Sequence, residues 1–175
     1  IRIIAVTKYV DKDKIVEAYN SGLRDFAESK AQDALNKIEN LPDDIRKNSK
    51  WHFIGHLQSN KVKKVIGVFD YIHSVDSLKL AKLISENARL KGITQKILLQ
   101  VNNANEETKF GFSVDEVKEV FEEIIHLDSL EVVGLMNIAP NIDNSEELHK
   151  LFRNIKELRD YLQDKYNYAL PELSM

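Results

Sequence analysis

Ile1-Arg2-Ile3-Ile4-Ala5-Val6-Thr7-Lys8 opens the chain, and this stretch decides the fold. Five of its first six residues are apolar and four are β-branched, which predicts a strand buried on both faces, as in parallel sheets. The strand ends at Lys8, where a polar segment begins. Because α/β folds place their chemistry at the C-terminal ends of such strands, Lys8 is the first candidate functional residue. The alternatives are an ordinary solvated lysine, one of 25 Lys and Arg residues, and a structural ion pair with Glu28.

The rest of the chain alternates predicted strands with predicted helices. Further apolar strands are predicted at residues 24–27, 51–55, 71–75, 96–102 and 131–138 and after Pro171. Helices with apolar residues at helical spacing are predicted between them. Their boundary signals are Gly22 and Pro42 as stops, Asp76 as an N-cap, and Ser113 with Glu116 as a capping box.

Seven strands with six intervening helices predict an α/β fold with a parallel sheet. Two architectures fit, an open doubly wound sheet and a (β/α)8 TIM-type barrel. The glycine-rich fingerprints of nucleotide-binding folds, G-x-G-x-x-G and G-x-x-x-x-G-K-[ST], are absent. One more strand and helix beyond Met175 would complete a barrel, so we favour the barrel. We expect residues 1–175 to form a single barrel domain that is truncated at both ends.

Composition narrows the classes of function. The 175 residues are 43% hydrophobic and 30% charged, which is typical of one globular domain. A net charge of −3 gives no indication of a nucleic-acid partner, and no apolar run approaches the roughly 20 residues of a membrane helix. The absence of cysteine excludes disulfides and cysteine nucleophiles and agrees with a reducing cytoplasm.

Polar side chains follow the predicted strands at the point where each one ends. Apart from Lys8 they are mostly neutral hydrogen-bonding groups: Glu28, Ser29, His56, Ser59, Asn60, His73, Asn102, Met136, Asn137 and Ser174 stand at or next to strand ends. A lysine in a partly dry pocket has a lowered pKa, because desolvation disfavours the ammonium ion. Its free amine can then form a Schiff base with a carbonyl compound, such as pyridoxal phosphate (PLP) or a sugar aldehyde.

The histidines admit two interpretations. His52, His56 and His73 could indicate a metal, but their spacing is not that of a zinc motif and no cysteine assists. His52 and His73 lie inside predicted strands, which favours hydrogen-bonded histidines in the core or barrel lumen. His56 follows a strand and is the better pocket candidate. We therefore predict no metal site.

The same strand-end segments resemble the YggS/PROSC family of PLP homeostasis proteins. Ala5-Val6-Thr7-Lys8 is similar to the family's A-V-[ST]-K strand. The eleven residues WHFIGHLQSNK, 51–61, are similar to its most diagnostic stretch. Further similar segments follow in order at 72–76, 100–102, 109–112, 134–136 and 173–175, so the resemblance covers the whole chain.

The resemblance implies a PLP-binding barrel like the N-terminal domain of alanine racemase, with Lys8 carrying PLP as an internal aldimine. Taken with the strand-end groups, it makes the following the expected cofactor-binding residues: Lys8, Glu28, Ser29, His56, Ser59, Asn60, Asn102, Met136 and Ser174. It implies a cytoplasmic carrier or regulator of PLP supply that affects amino-acid and keto-acid balance without robust catalysis of its own. We expect a monomer whose protein partners are PLP-dependent apoenzymes or regulatory proteins.

The sequence departs from the family pattern in two places. The family motif F-G-E-N reads Phe26-Ala27-Glu28-Ser29 here, which puts a shorter side chain where the family has asparagine. The family's S-M-G-M-S and R-I-G segments, which resemble phosphate anchors, are cut short at Met175 or lie beyond it. We expect the natural chain to continue into them, because an open parallel edge exposes unpaired backbone.

Two other functions stay open. A PLP-dependent racemase or lyase would need a second acid or base opposite Lys8, for which His56 and Glu28 are the candidates. An interaction module with PLP as a structural ligand is the third possibility.

Overall fold

Seven parallel strands in a single sheet form the frame of the molecule, and their order in space is their order in sequence. The computed structural model describes residues 1–103, 110–140 and 142–175. The strands are β1 Ala5–Val6, β2 Asp25–Glu28, β3 Lys50–Phe53, β4 Tyr71–Val75, β5 Gln95–Gln100, β6 Leu130–Met136 and β7 Glu172–Ser174.

Helices follow the strands along the chain. They are α1 Lys12–Asn20, α2 Ala31–Glu39, α3 Asp43–Asn48, α4 Val62–Val65, α5 Leu78–Leu90, α6 Val114–Ile125 and α7 Ser145–Tyr166, and a 3₁₀ turn at Ser59–Lys61 precedes α4.

The strand order decides between the two predicted architectures. A doubly wound sheet reverses its order once and carries helices on both faces. Here each strand pairs in parallel with its sequence neighbour, from β1 to β7. Right-handed crossovers that always advance in one direction put every helix on the same side of the sheet. The sheet therefore curls into an incomplete barrel with the helices outside, and the predicted barrel class is confirmed.

Apolar side chains form a large outer core and a small inner one. The outer core lies between the strands and the helices and contains Phe26, Phe53 and Phe121. The inner core is a separate cluster of Leu98, Val133 and Met136. Alternate residues of a strand point to opposite faces, so one sequence supplies both layers.

The first stretch of the chain corrects our expectation of a strand buried on both faces. Only Ala5 and Val6 form β1, and Ile1, Ile3 and Val6 are exposed. The physical reason is that β1 pairs with β2 alone in the described part of the chain, and residues 1–4 belong to no strand.

One helix boundary differs from the predicted one, and one short helix was not predicted. The N-cap of α5 is Ser77, whose hydroxyl accepts from the Leu80 N–H at 3.3 Å, so the prediction of Asp76 is wrong. Beyond Pro42 the chain forms α3, a helix too short to show a 3.6-residue pattern. The capping box of Ser113 and Glu116 is confirmed at α6.

Candidate functional site

An open cleft of about 900 Å³ lies inside the curled sheet. Residues in or next to several strands line it, among them Ala27, His52, Ile54, His73 and Met136. Most of these residues are apolar, with a small number of polar groups between them, which is typical of small-molecule sites.

Lys8 lies just beyond the C-terminal end of β1, as predicted, but its side chain is exposed. Arg2, Ile4 and Val6 line the cleft, and Lys8 continues this every-second-residue series into the turn after the strand. The Lys8 Nζ atom lies 5.0 Å from the centre of the Tyr9 ring. The expectation of a partly dry pocket around Lys8 is therefore wrong for this structure, in which Lys8 is exposed at the C-terminal end of the sheet, the end that we call the mouth of the cleft.

Glu28 does not lie in the cleft. Its neighbour Ala27 lines the cleft, so Glu28 points to the helix side, where it is buried. Its Oε1 accepts from the Thr7 hydroxyl at 2.7 Å and from Lys37 Nζ at 2.7 Å. Lys37 also donates to the Thr7 carbonyl at 2.7 Å. The ion pair of Glu28 is thus made with Lys37 rather than with Lys8, and the prediction that Glu28 contacts a cofactor conflicts with this position.

The mouth of the cleft carries several of the other predicted residues. Ser29 is half-buried beside Gly55, where an added Cβ would lie 2.0 Å from the Ser29 carbonyl oxygen. Only glycine permits this close approach of the two strand ends. Ser59 and Asn60 are exposed in the 3₁₀ turn.

His56 is held at the mouth by two contacts. Its Nδ1 lies 3.2 Å from Asp76 Oδ2, and its ring stacks on Phe110 with centroids 3.7 Å apart.

The Asn102 N–H donates to the Phe112 carbonyl at 2.8 Å. Lys109, part of another segment that resembles the family, lies outside the described residues.

Met136 and Ser174 are the predicted site residues that line the cleft wall. They are register partners on β6 and β7, so the structure brings them together. A chain of hydrogen-bonding contacts runs from Ser174 through the sheet interior. Ser174 Oγ lies 2.9 Å from His73 Nδ1, His73 Nε2 lies 2.9 Å from His52 Nδ1, and His52 Nε2 lies 3.0 Å from Asp25 Oδ1. We call these four side chains the lumen chain.

Burial keeps both histidines of the lumen chain neutral. Desolvation, with smaller contributions from the nearby His52 and Arg2, lowers the pKa of His73 to about 3. Desolvation also lowers the pKa of His52, against the opposing effect of Asp25. The prediction of hydrogen-bonded lumen histidines is confirmed by these contacts.

Asp25 is the member of the lumen chain that sequence reasoning missed. It opens β2 two residues before Ala27, so the two-residue period of a strand puts it on the cleft side, and this signal was available in the sequence. Lys37 was missed as well, and nothing in its helix pattern marks it as the partner of Glu28.

Comparison with known proteins gives one consistent family. The family model described as alanine racemase, N-terminal domain, matches residues 2–175. The pyridoxal phosphate homeostasis protein of Aquifex aeolicus is 42% identical over 99% of this chain and 75% of that protein. The one from Synechocystis is 38% identical over 100% of this chain and 79% of that protein. The chain belongs to the pyridoxal phosphate homeostasis protein family.

Solved structures agree with the membership of this PLP homeostasis family. PipY of Synechococcus elongatus, solved with PLP bound, superposes with a TM-score of 0.89 at 33% identity, over 100% of this chain and 81% of that chain. Alanine racemase of Clostridium difficile superposes with a TM-score of 0.77 at 16% identity, over 99% of this chain and 45% of that chain. This second likeness shows the fold alone.

The described ranges contain neither a membrane-spanning helix nor a cluster of metal-ligating side chains. Neither α7 nor any other helix found there is long and apolar enough to cross a membrane. Across residues 1–103, 110–140 and 142–175, no three His, Asp or Glu side chains are grouped so that they could hold a metal ion.

Replacing Lys37 by methionine tests the buried pair. We expect Lys37→Met to lower the free energy of unfolding by about 3 kcal/mol, because it leaves the Glu28 carboxylate buried without its cation. The matched control is Lys14→Met, which removes an exposed pair with Glu17 and should change stability little. Urea denaturation measures both, and equal losses in the two variants would contradict the assignment.

Because the two histidines of the lumen chain are buried and neutral, we expect the protein to lose stability in acid. An unfolded histidine takes up a proton near pH 6.5 and folded His73 only near pH 3, so the unfolded state binds more protons between these values. Stability therefore falls as the pH drops from 7 to 4, by about 3 kcal/mol from this group. His73→Gln should flatten the pH profile of the unfolding free energy, and exposed His149→Gln should leave it as in the wild type. Parallel profiles for all three proteins would refute a neutral, buried His73.

Proposed function

We propose that this chain binds PLP in the cleft as a Schiff base on Lys8 and takes part in PLP homeostasis without robust catalysis of its own. The observation that carries the proposal is the likeness, along the whole chain, to PipY in its PLP-bound structure. The curated relatives named as pyridoxal phosphate homeostasis proteins support the same role.

The cleft fits such a cofactor. Its volume of about 900 Å³ is within the range of small-molecule sites. Its wall offers apolar surface for a flat ring, and Lys8 brings an amine on a flexible four-carbon stem to its mouth. When bound, PLP would supply an aldehyde carbon that the Lys8 amine, once deprotonated, could attack to give a Schiff base with loss of water.

The chain's own residues then divide into three groups. Met136 and Ser174 line the cleft wall and would lie beside a bound cofactor. Ser29, His56, Ser59, Asn60 and Asn102 follow the strand ends at the mouth and would offer hydrogen-bonding groups there. Glu28 acts at a distance: through Thr7 and Lys37 it fixes the backbone immediately before Lys8.

A racemase or lyase receives less support than a carrier. Of the two candidates for a second acid or base, Glu28 faces the helices and is paired with Lys37. His56 remains at the mouth, where Asp76 holds it. A catalytic site would need a proton-transfer group within hydrogen-bond reach of the substrate, and Glu28 cannot be that group.

The proposal also covers the role of the protein in the cell. We propose that the protein acts as a monomer in the cytoplasm, where its lack of cysteine suits a reducing compartment. PLP held reversibly on Lys8 would be passed to PLP-dependent apoenzymes or sensed by regulatory proteins, and in this way would affect amino-acid and keto-acid balance.

Removal of the Lys8 amine tests the cofactor proposal. Lys8→Ala should abolish the visible absorbance that PLP gives on a protein amine, because no Schiff base can form. Lys12→Ala, a neighbouring exposed lysine, should keep the wild-type spectrum and about one PLP per chain, as expected for one reactive lysine. Colour and stoichiometry that survive in Lys8→Ala would refute the assignment, and so would a wild-type protein that takes up no PLP.

Hydrogen exchange in D₂O tests the absence of robust catalysis. The PLP-loaded protein should leave the α-hydrogen of added amino acids unexchanged beyond the rate of free PLP, because Glu28, one of the two candidates for a second base, is buried against the helices. Proton NMR follows the α-hydrogen signals. Enzymatic exchange that His56→Gln removes would establish the racemase or lyase alternative instead.

A further inference from the structure

The hydrogen bonds of the lumen chain all run in one donor-to-acceptor direction. The carboxylate of Asp25, at one end, determines that direction. An ionised carboxylate only accepts hydrogen bonds, and Asp25 lies 4.0 Å from the Arg2 guanidinium. The contact of 3.0 Å between Asp25 Oδ1 and His52 Nε2 therefore requires the proton on Nε2.

The remaining contacts follow step by step. A neutral imidazole with its proton on Nε2 has a bare Nδ1, which accepts. His73 Nε2, 2.9 Å away, must then donate to His52. This leaves His73 Nδ1 bare, so the hydroxyl of Ser174, at 2.9 Å, must donate to it.

We propose that Asp25, His52 and His73 are positioning residues. Together they require the Ser174 hydroxyl to donate its hydrogen bond to His73. A hydroxyl has one proton and two lone pairs, so Ser174 can then only accept from a ligand in the cleft. The chemical group that it recognises is a hydrogen-bond donor, such as a hydroxyl or a protonated nitrogen. It is not a phosphate dianion, which has no proton to give.

A second series of hydrogen bonds ends next to Ser174, and it too ends in an oxygen that can only accept. The Leu151 carbonyl accepts from Asn103 Nδ2 at 2.8 Å, so Asn103 Oδ1 must face Asn137. Asn137 Nδ2 donates to that oxygen at 2.5 Å, which leaves Asn137 Oδ1 buried without a partner among the described residues. The Asn137 N–H donates to the Ser174 carbonyl, so this buried oxygen belongs to a cleft-lining residue that is bonded directly to Ser174.

Reversing the donor and acceptor roles along the lumen chain would be unfavourable. If Ser174 donated to an anion, His73 and His52 would have to carry their protons on Nδ1, and the bare His52 Nε2 would face the Asp25 carboxylate. Two buried acceptors would then oppose each other without a proton between them. An imidazolium at either ring is the other way to reverse the polarity, and burial beside a second histidine opposes it.

The consequence for the cofactor rests on the function proposed above, whereas the direction of the lumen chain does not. If PLP occupies the cleft, its phosphate is held by groups other than the Ser174 hydroxyl. Ser174 instead accepts from a donor on the cofactor or on a bound partner molecule.

Nitrogen NMR of the protein with ¹⁵N-labelled histidine and no added ligand tests the direction. At pH 7 we expect His52 and His73 to be neutral, with the proton on Nε2 and an accepting Nδ1, and histidine-to-glutamine variants assign the signals. A proton on Nδ1 of either ring, or an imidazolium, would overturn the proposal whether or not PLP binds.

Two further measurements separate positioning from mere packing. In Asp25→Asn an amide can donate as well as accept, so a population with the proton on Nδ1 should become measurable. Glu172→Gln, which removes a carboxylate from the same cleft wall outside the lumen chain, should leave both tautomers unchanged. Inorganic phosphate at pH 8 should also leave them unchanged. Unaltered tautomers in Asp25→Asn, or reversal by phosphate, would refute the proposed role.

Discussion

Parallel pairing between sequence neighbours, repeated from β1 to β7, is the constraint on which the rest of this structure depends. It puts the C-terminal ends of all strands at one end of the curled sheet and the helices on its outside. The two-residue period of each strand then decides which side chain meets the cleft and which meets a helix. The location of Lys8 at the mouth, the burial of Glu28 against α2 and the lumen position of His52 all follow from these two rules.

The lumen chain shows how polar groups are accommodated inside such a sheet. It joins β2, β3, β4 and β7 through side chains, and each of its contacts is 3.0 Å or shorter. Buried polar groups are tolerated when each has a partner. Neutral histidines suit this position because each donates with one nitrogen and accepts with the other. The rings of His52 and His73 therefore affect both the stability of the fold and the direction of hydrogen bonding at the cleft wall.

Much of this arrangement could be predicted from the sequence. Apolar strands, helical spacing and the Ser113–Glu116 capping box gave the α/β class, and the terminal position of Lys8 followed from the first strand. The choice between a barrel and a doubly wound sheet is confirmed only by strand order, which local patterns do not contain. The pairing of Lys37 with Glu28 depends on packing between α2 and β2. The exposure of Ile1 and Ile3 depends on the absence of a second sheet partner for β1 in the described chain.

The central claim is that one lysine among many cations holds PLP, and that its place at the end of β1 selects it. The most direct measurement is borohydride reduction of the PLP-loaded protein, followed by mass spectrometry of its proteolytic peptides. Reduction converts a Schiff base into a stable secondary amine and marks the lysine that formed it. The structure and family membership together predict a single major modified peptide that contains Lys8. Modification spread over surface lysines, or concentrated on a lysine outside the mouth of the cleft, would contradict the account.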